Sequence, residues 1–161
     1  MSRFGELNKQ KTQVMIDIIS NVNLLKSIIN KGENFLEIDL PTEIQNDPTI
    51  VLYNNIFPYR FPAILSDEEK VIISFGFGNY KKYNNVFKTG KIDFYVLMHK
   101  ELIRTDYGLR LDYIINQIDM LFNSNEKISI GVLEFDRFDD LPPINDNYIG
   151  CIISYKTLEH N

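Results

Sequence analysis

The sequence predicts an α+β fold, in which a mostly antiparallel sheet carries a long projecting β-hairpin and two helices packed on one face. Two segments repeat apolar residues at helical spacing, and five others alternate apolar and polar residues as strands do. Helical and extended segments do not alternate regularly, which favours an antiparallel sheet over parallel βαβ units. Because the chain has no linker, repeat or low-complexity tract, we expect one domain over residues 1–161, with flexible ends at 1–10 and 157–161.

The composition excludes several classes of protein. Of the 161 residues, 44% are hydrophobic and 24% charged, so the chain has enough apolar surface to fold and is not intrinsically disordered. No apolar run approaches the ~20 residues that span a bilayer, and we expect no signal peptide because no apolar core follows Arg3. One cysteine and two histidines leave no disulfide framework and no Cys/His zinc set. A net charge of −5 argues against a protein whose main function is to bind nucleic-acid phosphates. We therefore expect a soluble, intracellular, mildly acidic domain.

The first predicted helix runs from about Lys11 to Lys31, where apolar residues recur every three or four positions. A basic last turn followed by Gly32 is a typical helix end. We expect one face of this helix to be buried. The apolar stripe on that face consists of Met15, Ile18, Ile19, Val22, Leu25 and Ile29.

The next two segments differ in pattern and meet at Pro41. Residues 35–40 alternate apolar and polar side chains, which predicts a half-exposed strand halted by the proline. From residue 42 to residue 66 no periodicity holds, and three prolines interrupt a strongly apolar stretch. Because so apolar a segment is not stable free in water, we expect an extended apolar arm that lies against this domain or a neighbouring subunit.

Two strongly alternating segments predict a long β-hairpin. Its apolar face comprises Val71, Ile73, Phe75 and Phe77 on the first strand, and Ile92, Phe94, Val96 and Met98 on the second. The connection from Gly78 to Gly90 carries three lysines and no acid, and we expect its tip to project beyond the sheet. Basic and aromatic residues at such a tip could stack on nucleic acid, but a contact with protein is favoured on an acidic chain.

The second predicted helix follows the turn at residues 105–108 and ends at residues 123–125. Its apolar stripe matches helical spacing throughout: Leu111, Ile114, Ile115, Ile118, Leu121 and Phe122. Two more strands are expected, at residues 127–135, with a bulge near Gly131, and at residues 148–155. Between them lies an acidic stretch, residues 134–140, which we expect to be a solvated loop. The alternatives are a divalent-cation site and a surface that interacts electrostatically with another protein.

The search for catalytic chemistry finds no site. His99 is expected at a strand edge with its ring in water, although it could act as a general base, and His160 adjoins the terminus. Gly76 and Gly78 form half of a phosphate-cradling pattern, but we expect glycine here to let the strand twist or a neighbouring backbone approach. Cys151 falls in phase with buried residues. We therefore expect no enzyme, and no catalytic, cofactor-binding or metal-binding residues.

The positive signal is apolar and aromatic surface on extended elements. Such surface usually marks a partner, and a projecting hairpin is also an open edge that can pair with another chain. We therefore expect the chain to assemble. The candidate contact residues are Tyr80, Lys81, Lys82, Tyr83 and Phe87 on the hairpin, and Ile56, Phe57, Tyr59 and Phe61 on the arm.

In its order of elements the chain resembles the tail terminator, or tail completion, proteins of long-tailed bacteriophages, over roughly residues 10 to 156. The resemblance rests on one arm, two strands, a helix start and the closing strand. In this sequence these read Asn54-Asn55-Ile56-Phe57-Pro58, Glu69-Lys70-Val71-Ile72-Ile73-Ser74-Phe75, Lys91-Ile92-Asp93-Phe94-Tyr95-Val96-Leu97-Met98-His99-Lys100, Gly108-Leu109-Arg110-Leu111-Asp112-Tyr113-Ile114 and Asn147-Tyr148-Ile149-Gly150-Cys151-Ile152-Ile153-Ser154-Tyr155. The apolar segment 42–66 and the long hairpin tip depart from the family's pattern.

The resemblance implies a structural virion protein of the tail or neck, assembled in the host cytoplasm. Such proteins form a ring, usually a hexamer, that stops tube polymerisation and joins the head connector. The implied partners are other copies of the chain, the tube protein, the connector or stopper protein, a sheath in contractile tails, and DNA in transit. Glu134, Asp136, Asp139 and Asp140 are then candidates for the channel or its rim. The alternatives are another neck component, such as a head-closure protein or sheath-contacting adaptor, and a host-encoded binding module.

Overall fold

The computed structural model describes residues 3–60, 62, 67–83, 86–124, 132–143 and 145–157, with the backbone alone for residues 3–4, 79–83 and 86–89. The helices are α1 (Arg3–Ile19), α2 (Val22–Ile29), α3 (Thr42–Asn46) and α4 (Arg110–Phe122). The strands are β1 (Ile56–Phe57), β2 (Val71–Tyr83), β3 (Val86–His99), β4 (Arg104–Thr105), β5 (Gly108–Leu109), β6 (Leu133–Asp140) and β7 (Tyr148–Thr157). None of the helices in these ranges combines the length and the apolar character that crossing a membrane requires.

One five-stranded sheet organises the fold, in the order β1-β2-β3-β7-β6. Every pairing in it is antiparallel except that of β1 with β2. β4 and β5 form a separate small hairpin that leads into α4. The prediction of an α+β fold with a mostly antiparallel sheet and a long β2–β3 hairpin is therefore confirmed.

The main core lies between one face of the sheet and the helices α1, α2 and α4. Phe94 of β3 lies in the middle of this core: its ring stacks on Phe122 of α4, with centroids 4.7 Å apart, and contacts Phe75 and Tyr155 on the neighbouring strands. All four rings are fully buried. Since each buried large side chain contributes roughly 1.5–3 kcal/mol, this aromatic cluster holds α4 firmly on the sheet.

The single helix predicted from Lys11 to Lys31 is wrong, because the chain forms two helices separated at Ser20 and Asn21. Asn21 takes the N-cap position of α2, where its side-chain oxygen accepts a hydrogen bond from the Leu24 amide at 3.0 Å. An asparagine on the polar side of a helical pattern can thus start a new helix without interrupting the spacing of the apolar residues. The first helix also begins earlier than predicted, at Arg3, and so includes residues that we assigned to a flexible end.

The strand predicted at residues 35–40 is also wrong, because this segment consists of turns and irregular backbone. Its carbonyl groups accept hydrogen bonds from α2 instead of from a strand. The side-chain amide of Asn30 donates to Phe35 and Ile38, and the ammonium of Lys26 donates to Leu36. Alternation along this segment therefore does not indicate pairing, because side chains already satisfy the groups that a neighbouring strand would need.

Segment 42–60 lies against its own domain, which is one of the two positions expected for the apolar arm. It contains α3, a 3-10 turn at Pro48–Val51 and the short strand β1, which pairs in parallel with β2 through Ile56↔Ile73. Only part of the arm is extended. Residues 61 and 63–66 lie outside the described part of the chain.

Arg110, the first residue of α4, is 1% exposed and joins four parts of the chain. Its five N–H groups donate to five backbone carbonyls, at 2.7–3.2 Å: those of Ser27, Asn30, Lys31, Gly32 and Leu102. The guanidinium also lies over the ring of Phe35, 4.6 Å from its centroid. Burial lowers the pKa of Arg110 to about 10, so the group remains charged at neutral pH. Its charge is stabilised by the C-terminal end of the α2 dipole.

We expect Arg110→Lys to lower the free energy of unfolding by about 3 kcal/mol, because lysine has fewer donors and leaves buried carbonyls without partners. For a chain of this size the midpoint of thermal unfolding should fall by roughly 6–12 °C. Circular dichroism during thermal and urea unfolding measures both quantities.

Arg104→Lys is the matched control, because Arg104 is exposed. It should change the free energy of unfolding by less than about 0.5 kcal/mol. Equal effects of the two substitutions would contradict the role assigned to Arg110.

Candidate interaction surface

The β2–β3 hairpin continues past the strands that flank it. Pairing of β3 with β7 ends at Lys91↔Lys156, whereas pairing of β2 with β3 continues to Tyr83↔Val86. The register shifts twice in this outer part, between Gly78 and Lys81 and between Lys81 and Lys82. The predicted contact residues Tyr80, Lys81, Lys82, Tyr83 and Phe87 all belong to this outer part; their side chains lie outside the described atoms.

The arm does not present Ile56 and Phe57 to a partner, and that part of the prediction is wrong. Both are buried within their own chain, at 0% and 8% exposure, because β1 is covered by the core on one side and by Leu97 and Tyr148 on the other. Tyr59 remains 47% exposed and packs edge-on against Phe57. Phe61 lies outside the described residues.

The acidic stretch 134–140 is an edge strand and not the loop that we expected. As β6 it pairs with β7 from Leu133↔Thr157 to Asp140↔Cys151, and no other described strand pairs with its outer side. A bulge falls between Phe135 and Arg137; the position predicted for it, Gly131, lies outside the described residues. The side chains of residues 135–140 are therefore exposed because the stretch forms the edge of the sheet, and not because it lacks secondary structure.

The side chains of β6 alternate between the two faces of the sheet, and the bulge shifts this alternation so that Asp136 and Arg137 share a face. Glu134, Asp136 and Asp139 lie on the face opposite the helices, since they pair with or contact residues of that face on β7. Asp140 lies on the helix face, opposite Cys151. The carboxylate of Asp136 contacts Lys156 at 3.3 Å, and that of Asp139 contacts Arg137 at the same distance. The four acids therefore do not form one uniform patch.

On the helix side, β6 and α4 enclose an open groove of about 540 Å³. Two large aromatic side chains of β6, Phe135 and Phe138, are 49% and 43% exposed there. Opposite them α4 contributes Asp112, Ile115 and Asp119, and none of the lining residues is basic. The groove is thus apolar at its base and acidic at its helix wall.

Asp119 is held in place in that wall. Its carboxylate accepts a hydrogen bond of 2.7 Å from the hydroxyl of Tyr155 on β7. Burial, with a contribution from Asp119, raises the pKa of Tyr155 far above its ordinary value, so the hydroxyl stays protonated and continues to donate. At the end of α4 the side-chain oxygen of Asn123 accepts a hydrogen bond from the Phe135 amide, which fixes the start of β6 against the helix.

A second polar cluster lies on the opposite face of the sheet, around the buried carboxylate of Asp93 on β3. Arg60 contacts one of its oxygens at 3.1 Å, and Ser154 and Lys91 contact the other at 2.5 and 3.4 Å. The carboxylate thus has both charge compensation and hydrogen bonds, as a buried anion requires. Burial and the charge of Asp93 raise the pKa of Tyr95, its neighbour on this face.

Two glycines make room for Arg60 on that face. A Cβ atom at Gly76 would lie 2.7 Å from the Arg60 Nε and 2.8 Å from its Cγ, and one at Gly78 would lie 3.1 Å from a terminal nitrogen. These glycines were expected to let the strand twist or a neighbouring backbone approach, but the group that approaches them is the side chain of Arg60. Arg60 therefore ties the end of the arm to the centre of the sheet.

The two residues considered for catalysis and described by the structure have structural contacts. His99 is buried, which corrects the prediction of a solvated ring; its Nδ1 accepts a hydrogen bond from the Glu101 amide at 3.2 Å, and its ring packs edge-on against Tyr148. Cys151 is buried as predicted, and burial raises the pKa of its thiol to about 12, which makes it a poor nucleophile. His160 lies outside the described residues.

Sequence reasoning missed the groove, because its walls come from distant segments. The signal available was the apolar phase change at Leu133 and Phe135, together with a second aromatic, Phe138, inside an acidic run. Those residues stand out only once β6 is known to continue to Asp140. Arg110 and Asp93 were not recognised either, because nothing in the local sequence marks a charged residue as buried.

In the described residues these features define an α+β protein with a five-stranded main sheet, helices on one face, an open edge strand and a hairpin that extends past its neighbours. The model of the YomW family matches residues 21–157, and the chain belongs to this family. The family is phage-derived, of the SPbeta-like prophage type, which suggests a phage protein and does not specify a tail terminator. No curated protein matches the chain.

We expect Gly76→Val to displace Arg60 and to expose the peptide bond after it to trypsin. A loss of roughly 1.4 kcal/mol of local stability would raise the open population, and with it the cleavage rate, about tenfold. Limited trypsinolysis followed by mass spectrometry measures cleavage at this bond directly.

Phe77→Val is the control, because it introduces valine at the next position of β2, on the other face of the sheet and away from Arg60. It should leave cleavage after Arg60 unchanged relative to cleavage elsewhere in the chain. If Gly76→Val left that ratio unchanged too, the contact between Arg60 and the sheet would not be holding the arm.

Proposed function

We propose that this chain is a structural virion protein that forms a ring on the head-proximal end of a phage tail tube. In this role it stops tube polymerisation and provides the joint to the head connector. Membership of a phage-derived family supports a phage role. The finer assignment rests on the element order shared with tail terminator proteins and on the surfaces described above.

The observation that carries the proposal is the hairpin. The Thr157 hydroxyl of β7 still hydrogen-bonds the backbone of Gly90, and beyond that point the described residues of the hairpin pair only with each other. Isolated two-stranded hairpins are marginally stable in water, and they become ordered when a further surface covers them. A ring subunit offers such a surface, either on the next subunit or on the tube below.

The acidic residues on the face opposite the helices suit a channel through which DNA passes. Glu134, Asp136 and Asp139 share that face, where Lys156 pairs with Asp136 and Arg137 with Asp139, so the negative charge is that of the whole ring: six copies of a chain with net charge −5 would carry about −30. Negative charge repels phosphates and keeps DNA from adhering. In a cryo-electron microscopy reconstruction of the neck, these three carboxylates should face the lumen or its rim; a position on the outer wall would exclude this arrangement.

Deletion of the gene from its phage tests the assignment. Without a terminator, tubes should grow beyond their normal length and fail to join heads, and the encoded protein supplied in trans should restore both. Electron microscopy of lysates measures tail length. A head-closure protein or an adaptor would give tails of normal length that stay separate from heads, and a host-encoded binding module would leave virions unchanged.

Tyr83→Ala combined with Phe87→Ala should leave the unfolding midpoint unchanged and impair incorporation into tails. Both residues lie on the outer part of the hairpin, past the last pairing of β3 with β7. Immunoblotting of purified virions, next to thermal unfolding of the isolated protein, separates assembly from folding.

Val22→Ala combined with Ile50→Ala is the matched control, since both residues are exposed and apolar and lie away from the hairpin. This variant should be incorporated normally. Normal incorporation of the hairpin variant would remove the hairpin from the interface.

A further inference from the structure

We propose that the groove between α4 and β6 binds the β2–β3 hairpin of a second copy of this chain, in a head-to-tail contact. This inference rests on the proposed ring and specifies which surfaces join its subunits. The groove is the surface where exposed aromatic side chains, an open strand edge and an uncompensated acidic wall occur together.

The groove has the properties of a binding surface. Phe135 and Phe138 are about half exposed on an edge strand, where large apolar side chains favour association. The outer side of β6 at residues 137–140 has no strand partner in the described chain, so its backbone can pair with an added strand. The hydrogen bonds of Asp119 to Tyr155 and of Asn123 to Phe135 hold the two walls in place. A groove fixed in this way loses little freedom when it binds.

Charge complementarity identifies the occupant. The helix wall presents Asp112 and Asp119, and Asp140 lies on the same face of the sheet at the end of β6. The hairpin connection from Gly78 to Gly90 carries Lys81, Lys82 and Lys88 and no acid. It also carries aromatic residues that can pack on Phe135 and Phe138. The hairpin therefore matches the groove in charge, in apolar character and in its extended backbone.

The same charges disfavour the symmetric alternatives. Two hairpins placed side by side would bring lysines together, and two β6 edges would bring carboxylates together, both of which are unfavourable across a strand pair. Hairpin and groove are different surfaces of one chain, so each copy can bind one neighbour and be bound by another. Such heterologous contacts close into a ring when the rotation between subunits allows it.

Cysteine crosslinking tests the contact in the full-length protein. Asn116→Cys places a thiol on the exposed surface of α4 at the groove, and Lys82→Cys places one on the hairpin. The native Cys151 is buried and does not compete for a short bismaleimide. A mixture of the two single variants should form a crosslinked dimer, and the double variant should form a ladder of multimers. Glu43→Cys, on the exposed surface of α3, replaces Asn116→Cys as the control and should give no dimer with Lys82→Cys.

Charge exchange provides the second test. Asp112→Lys should weaken self-association by about tenfold or more at low salt, as measured by analytical ultracentrifugation, and the added change Lys82→Asp should restore it.

Failure of the crosslink between Asn116→Cys and Lys82→Cys overturns the proposed contact. If native mass spectrometry then shows multimers, the ring persists through other surfaces and the proposed function stands. Monomers without the crosslink, together with tails of normal length after gene deletion, overturn both.

Discussion

The hydrogen bonds from the buried guanidinium of Arg110 to five backbone carbonyls are the interaction on which the rest of the structure depends. Its five donors satisfy carbonyls at the end of α2, in the loop that follows it and in the turn after β3. No acidic partner is needed, because aligned carbonyl dipoles stabilise a cation at a helix C-terminus. The first turn of α4 is thereby fixed, and Phe122 at its other end stacks on Phe94 of the sheet. One wall of the candidate groove therefore depends on a residue that does not line it.

The sheet separates two kinds of surface. On the helix side it carries the aromatic core, and past that core the groove with Phe135 and Phe138. On the opposite side, Asp93 binds Arg60 and holds the arm against Gly76 and Gly78. Glu134, Asp136 and Asp139 of β6 lie on the same side. Side chains of β6 alternate between the two faces as in any strand, and the bulge shifts that alternation by one residue, so that Phe135 and Phe138 lie on the same face. The channel and the subunit contact that we propose therefore use different faces of one strand.

Periodicity predicted some elements well and failed on others for identifiable reasons. The β2–β3 hairpin, α4 and β7 were predicted because long alternating or helical patterns there are undisturbed by side-chain competition. The break at Asn21 and the turns at residues 35–40 were missed because asparagine and lysine side chains bind backbone groups locally. In β6 the acids concealed the strand, since exposure at a sheet edge removes the apolar alternation on which the prediction relies.

The sequence by itself determined the fold class, the projecting hairpin and the uneven distribution of charge between a basic hairpin and an acidic stretch. Those properties follow from the local pattern and the composition, which the sequence shows directly. Only the tertiary structure decided that Ile56 and Phe57 belong to the core, that Arg110 and Asp93 are buried, and that α4 and β6 form a groove. Burial and groove formation depend on contacts between residues far apart in sequence, so no local pattern specifies them.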